Sequence, residues 1–183
     1  MSKPLILHLV GSPTDNFHCD LSRFYAESCL HAITDSARYS FLIAYVTPDK
    51  KWRFPVSLDD KDIVSAEALS FANAIAFLAQ KNIDVALPQM FCQSGMTDYR
   101  ALLDLLDIPF IGNTSELMAI TANKAKAKAI VAAAGVAVPE SKLLRKGEKP
   151  SLKPSVIVKP NKADNSIGVT LVNNESDYTA ALE

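Results

Sequence analysis

The chain has 183 residues, with 19 Lys and Arg against 20 Asp and Glu and a net charge of −1. Hydrophobic residues make up 49% and charged ones 21%, which excludes a disordered tail and allows a buried core without disulfide staples. Near-neutral charge with no basic cluster excludes an electrostatic footprint for nucleic acid or an anionic membrane.

The first apolar stretch, Pro4 to Gly11, is interrupted by His8. It is far shorter than the ~20 residues of a membrane span, and it lacks a small-x-small cleavage site. Cys19, Cys29 and Cys92 show no Cys-x-x-Cys spacing, and His8, His18 and His31 do not cluster with acids. A reduced, cytoplasmic setting with no zinc site is therefore expected.

Leu5 to Val10 reads as a buried strand ending at Gly11. Asp20 then caps an expected helix to about His31. Phe41 to Val46 is a second continuous apolar run, closed by Thr47-Pro48-Asp49. After a linker containing Trp52 and Pro55, one long helix is expected from about Lys61 to Lys81. Ile83 to Leu87 is a third strand, stopped by Pro88. A helix from about Thr97 to Leu106 and a short strand at Ile108–Ile111 follow.

Continuous apolar strands separated by helices predict an α/β fold with a parallel sheet covered on both faces. Ligands of such sheets bind beyond the carboxyl ends of the strands, here Gly11 to Asn16 and Gln89 to Asp98.

The character changes after Gly112. Thr114 caps an expected long Ala-rich helix, about Glu116 to Ala134, which Gly135 ends. A polar linker, Glu140 to Pro154, leads to strands at Val156–Val158 and Gly168–Val172, with Ser176 opening a helix. Two strands and a helix start cannot bury a face alone. Residues 1–113 are thus expected to form one domain and 114–183 the beginning of a second, incomplete one. The chain is expected to be a fragment of a longer protein.

Two features carry chemistry. Lys159 ends the strand Val156–Val158 and precedes a turn rich in Asn, Asp, Ser and Gly, including Asn165, Ser166 and Gly168. A strand-end ammonium beside such a turn can neutralise a phosphate while backbone N–H groups converge on it. The alternative is a plain hairpin with Lys159 in solvent. Lys124 and Lys128 lie one helical turn apart on one face, facing either an anion or water.

Together, Ile108-Pro109-Phe110-Ile111-Gly112-Asn113, Asn123-Lys124-x-x-x-Lys128, Val158-Lys159-Pro160 and Asn165-Ser166-x-Gly168-Val169 resemble the D-alanine–D-alanine ligase branch of the ATP-grasp enzymes. The resemblance runs from about residue 83 onward. It implies a Rossmann-like amino-terminal α/β domain followed by the first part of an α+β ATP-grasp domain. It also implies ATP and Mg2+ as cofactors, with Lys124 and Lys159 on the nucleotide phosphates. Asn165, Ser166 and Gly168 would close over the triphosphate. Asp164 stands where that family usually has glycine.

The substrate loops depart from the family. Gly11-Ser12-Pro13-Thr14-Asp15-Asn16 has no Glu-His pair, and Pro88 to Asp98 replaces His-Gly-x-x-Gly-Glu-Asp-Gly. Ser12, Thr14, Gln89, Met90 and Phe91 are the substrate-binding candidates. A pocket lined by Met90, Phe91 and Met96 suits a larger, less charged substrate than D-alanine, unless these are core residues beneath the loop.

Leu7 to Ser12, Cys19 to Ser22 and Trp52 to Pro55 look like the cyanobacterial ligases that join an amino acid to mycosporine-glycine. The resemblance thus implies small-molecule partners: an amino acid, and mycosporine-glycine or D-alanine. It implies a homodimer too. The metal ligands and catalytic arginine of the family would lie beyond residue 183, so this chain alone is expected to be inactive. A D-alanine–D-alanine ligase and a non-catalytic nucleotide-binding module are the rival readings.

Overall fold

A computed structural model describes residues 3–33, 37–163 and 166–182. The chain divides into two compact units, residues 1–118 and 119–183. The fold is mixed α/β with a parallel sheet, as expected.

In the first unit, β1 (Leu5–Gly11) pairs in parallel with β2 (Ser40–Val46) and with β4 (Val85–Pro88). A two-residue edge strand, β3 (Trp52–Arg53), runs antiparallel to β2, giving the order β3-β2-β1-β4. The segment expected as a linker therefore contributes an edge. Trp52 explains this: it is buried, and its ring stacks on Tyr99 with centroids 5.5 Å apart.

Alternation along the strands fills both sheet faces. Leu7, Leu9, Ala44, Val46 and Ala86 face α3 (Phe71–Ala79) and α5 (Asp98–Leu105), meeting Ala74, Leu78 and Leu103. Val10, Ile43 and Tyr45 face α1 (Asn16–Ile33) and α2 (Asp60–Ser65), meeting Cys19, Ala26 and Ile63. Each fully buried Leu or Val contributes about 1.5–3 kcal/mol relative to exposure.

Several element boundaries differ from expectation, each for a local reason. The first helix begins at Asn16 because the Asp15 carboxylate accepts the His18 N–H at 2.8 Å and its carbonyl accepts the Cys19 N–H at 3.2 Å. The expected helix over 61–81 is two helices, α2 and α3. Between them Leu69 and Trp52 exchange backbone hydrogen bonds of 2.8 and 3.1 Å, and the Ser70 hydroxyl caps α3 by accepting the Asn73 N–H. A short helix, α4 (Gln93–Met96), precedes α5. Ile108–Ile111 forms only a parallel bridge, Ala86 to Phe110, beside β4.

The Ala-rich helix is also broken, into α6 (Ser115–Thr121) and α7 (Lys124–Ala133). Asn123 is the reason: its extended backbone ends one helix, and its side chain caps the next by accepting the Lys126 N–H at 3.1 Å.

In the second unit, β5 (Val156–Val158) and β6 (Thr170–Val172) form an antiparallel hairpin. A single 3₁₀ turn, Glu175–Asp177, leads into α8 (Tyr178–Leu182). Val172 is fully buried, whereas Ile157 and Leu171, paired across the hairpin, are 58% and 55% exposed. One face of this two-stranded sheet is uncovered within the unit.

Candidate functional site

The carboxyl ends of β1 and β4 are bound to each other through α1. Gly11 approaches β2 so closely that a Cβ there would lie 2.1 Å from the Val46 carbonyl oxygen, so only glycine fits. Its N–H donates to the buried Ser22 hydroxyl at 2.8 Å, and that hydroxyl donates to the Gln89 carbonyl at 2.6 Å. Gln89 N–H in turn donates to the Leu9 carbonyl at 2.9 Å. One serine thus anchors both loops in which the substrate candidates lie.

Those candidates are not equivalent. Ser12 is fully buried, with its hydroxyl accepting the Thr14 N–H at 3.1 Å, so it shapes the loop from inside. Thr14 is exposed. Gln89 is half-buried, and its amide oxygen lies 3.1 Å from Nδ1 of the buried His8. Burial pushes the His8 imidazole below its ordinary pKa, against the smaller opposing effect of the Gln89 contact.

Met90 is 1% exposed inside the core beside Leu9, Ala86 and Leu103. Of the two alternatives for Met90, lining a pocket or lying in the core beneath the loop, the structure has the second: the short helix α4 covers it, with Gly95 packed directly against its Cβ. Phe91 and Met96 remain half-buried. The Phe91 ring meets Tyr25 of α1 at 4.9 Å between centroids.

The second unit brings Lys124 to the phosphate-type loop. The first three N–H groups of α7 are all satisfied: Lys124 N–H by the Asn161 carbonyl at 3.0 Å, Ala125 N–H by the Asn161 side chain at 2.9 Å, and Lys126 N–H by Asn123. These bonds hold the helix end against the segment that follows Lys159. The Lys124 ammonium reaches over and donates to the Ala163 carbonyl. An ammonium has three donors, so two stay available to an anion.

Lys159 is exposed, because β5 has no neighbour other than β6 and is only half-buried. Lys159 thus ends a half-buried strand and not a buried one. Ser166 and Gly168 are exposed with left-handed backbone, φ 59° and 70°, and the Val169 N–H closes the turn on the Ser166 carbonyl at 3.2 Å. Asn165 and Asp164 lie outside the described residues.

Sequence reasoning missed Ser22 and Asn161. Each works through partners distant in the chain, and only the polar character of Asn161 next to Pro160 hinted at a cap. Among the described residues, no group of three His, Cys, Asp or Glu could hold a metal ion. No helix among them is long and apolar enough to cross a membrane.

No protein-family model matches the chain. Among curated proteins it is 36% identical over 107 residues to the vancomycin B-type resistance protein VanB of Enterococcus faecalis, covering 56% of this chain and 31% of that protein. It is 32% identical over 111 residues to a D-alanine–D-alanine ligase of Citrifermentans bemidjiense, covering 58% and 36%. The matched stretch spans about a third of each of these relatives.

Among solved structures, the D-alanine–D-alanine ligase from Helicobacter pylori superimposes with a TM-score of 0.77 at 17% identity, covering 99% of this chain and 62% of the other. A Bacillus anthracis D-alanine–D-alanine ligase complexed with ATP gives 0.70 at 21%, covering 100% and 52%. The fold is the one these ligases share.

Proposed function

We propose, for a chain related in sequence to D-alanine–D-alanine ligases and sharing their fold, that the whole protein is an ATP-dependent ligase of that kind. What supports this most is the loop after β5, where the Lys124 ammonium meets the Ala163 carbonyl on a chain whose relatives include named ligases. The region matched is a minor part of those relatives, so the catalytic act is assigned to the whole protein, cytoplasmic and dimeric.

ATP, when bound, supplies a transferable phosphoryl group that activates an oxygen of the acceptor for displacement by an amine. The residues of this chain would serve the other end of the nucleotide. Lys124 and Lys159 would neutralise phosphate oxygens, while Ser166 and Gly168, with Asn165, would wrap backbone N–H groups around them. Positioning and charge stabilisation of this kind supply most of the acceleration in phosphoryl transfer. Mg2+ would accompany the nucleotide.

The amino-terminal unit would meet the acceptor. D-alanine is the acceptor favoured by the names of the relatives. A second reading, an amino acid such as serine or threonine joined to mycosporine-glycine, is favoured by the Gly11–Asn16 loop. That loop offers no Glu-His pair to an incoming amine, and its Ser12 hydroxyl is turned inward.

Incubating the natural full-length protein with ATP and either D-alanine, or mycosporine-glycine plus serine or threonine, tests both. ADP formation that depends on one pair assigns the acceptor. No ADP with either pair, despite ATP binding, leaves the non-catalytic nucleotide-binding module standing instead.

A further inference from the structure

Arg100 is the one cationic side chain between Lys81 and Lys124 in the sequence, and it is 9% exposed. Among the described residues no carboxylate forms an ion pair with it. Its Nη1 donates to the Asn113 carbonyl at 2.9 Å, its guanidinium lies over the Phe110 ring at 5.7 Å, and its Nε is buried without an acceptor. Burial lowers its pKa, with no neighbouring charge opposing the shift. A buried charge is normally paired, because an uncompensated one is costly.

The surroundings are shaped to the guanidinium. A Cβ at Gly112 would lie 2.5 Å from Nη1, so a side chain at that position would collide with the fork. The segment Phe110–Asn113 is bridged in parallel to β4 and emerges at the same end of the sheet as Gln89. This is the edge at which open α/β sheets take their ligands.

We propose that Arg100 is the receptor for the carboxylate of a small-molecule ligand, with Phe110, Gly112 and Asn113 holding the guanidinium in place. One planar cation matches one singly charged carboxylate in charge and in bidentate geometry. No second cation from residues 82–123 is there to balance a phosphate dianion. The proposal rests on the ligase reading only for the ligand's identity, an amino acid or an acceptor that carries a carboxylate.

The test is an NMR titration of the chain with acetate, with chloride at equal ionic strength and inorganic phosphate as separate arms. The Gly112 and Asn113 amide resonances are expected to shift saturably with acetate and not with chloride. R100Q should abolish the saturation, and R100K, which keeps charge but loses the fork, should weaken it. A linear, unsaturating response overturns the proposal, as does an equal response in R100Q or tighter binding of phosphate than of acetate. If R100Q does not fold, the wild-type titration and R100K decide alone. Failure here leaves ADP formation by the full-length protein untouched, so the two readings fall separately.

Discussion

The Ser22 hydroxyl donates to the Gln89 carbonyl at 2.6 Å while accepting the Gly11 N–H at 2.8 Å. A single side chain on α1 therefore joins the loops that follow β1 and β4. Replacing it leaves a buried N–H and a part-buried carbonyl without partners, at about 1–3 kcal/mol for a buried group left unsatisfied. Ser22→Ala is expected to lower the unfolding free energy in urea by that amount. A change within error would mean that water restores both bonds.

Asn161 satisfies two N–H groups at the start of α7, one with its backbone and one with its side chain. Asn161→Ala removes the side-chain acceptor, a capping loss of about 1 kcal/mol. Hydrogen exchange at the Ala125 amide should accelerate, while exchange in β1 and β2 stays as it was. Uniform acceleration everywhere would contradict a local role.

The buried His8 is held below its ordinary pKa of 6.5 by desolvation, its largest perturbation, against a smaller opposing bond to Gln89. Below pH 6.5 the unfolded chain takes up the proton before the folded one does. His8 therefore contributes no loss above pH 6.5, and stability falls as the pH drops from there toward its folded pKa. Urea unfolding across that window should show this slope, and His8→Phe should flatten it. An identical slope in the variant would assign it to other groups.

Lys159 is exposed and makes no bond among the described residues that the hairpin needs. Lys159→Ala in the full-length protein should leave the melting temperature nearly unchanged. ATP-dependent turnover should fall at least tenfold, about 1.4 kcal/mol of transition-state stabilisation. Full turnover would remove Lys159 from the nucleotide site.

The parallel sheet was legible because Leu5–Val10, His8 apart, and Phe41–Val46 are apolar on successive residues, the pattern of strands buried on both faces. The helix breaks were not. Apolar periodicity continues through Leu69 and through Ala122, and what ends the helices is a tertiary bridge to Trp52 in one case and the Asn123 cap in the other. The phosphate-type loop could be located from its composition, whereas its attachment to α7 through Asn161 joins residues 36 apart in the sequence. For Met90 the sequence left pocket lining and core burial both open, since Gly95 reads as a turn residue until α4 folds over Met90.

A crystal structure of the natural full-length protein with a non-hydrolysable ATP analogue measures the nucleotide site most directly. The Lys124 and Lys159 ammonium groups are expected within hydrogen-bond distance of phosphate oxygens, with the turn at Ser166–Gly168 folded over them. A triphosphate bound away from both lysines would contradict the account.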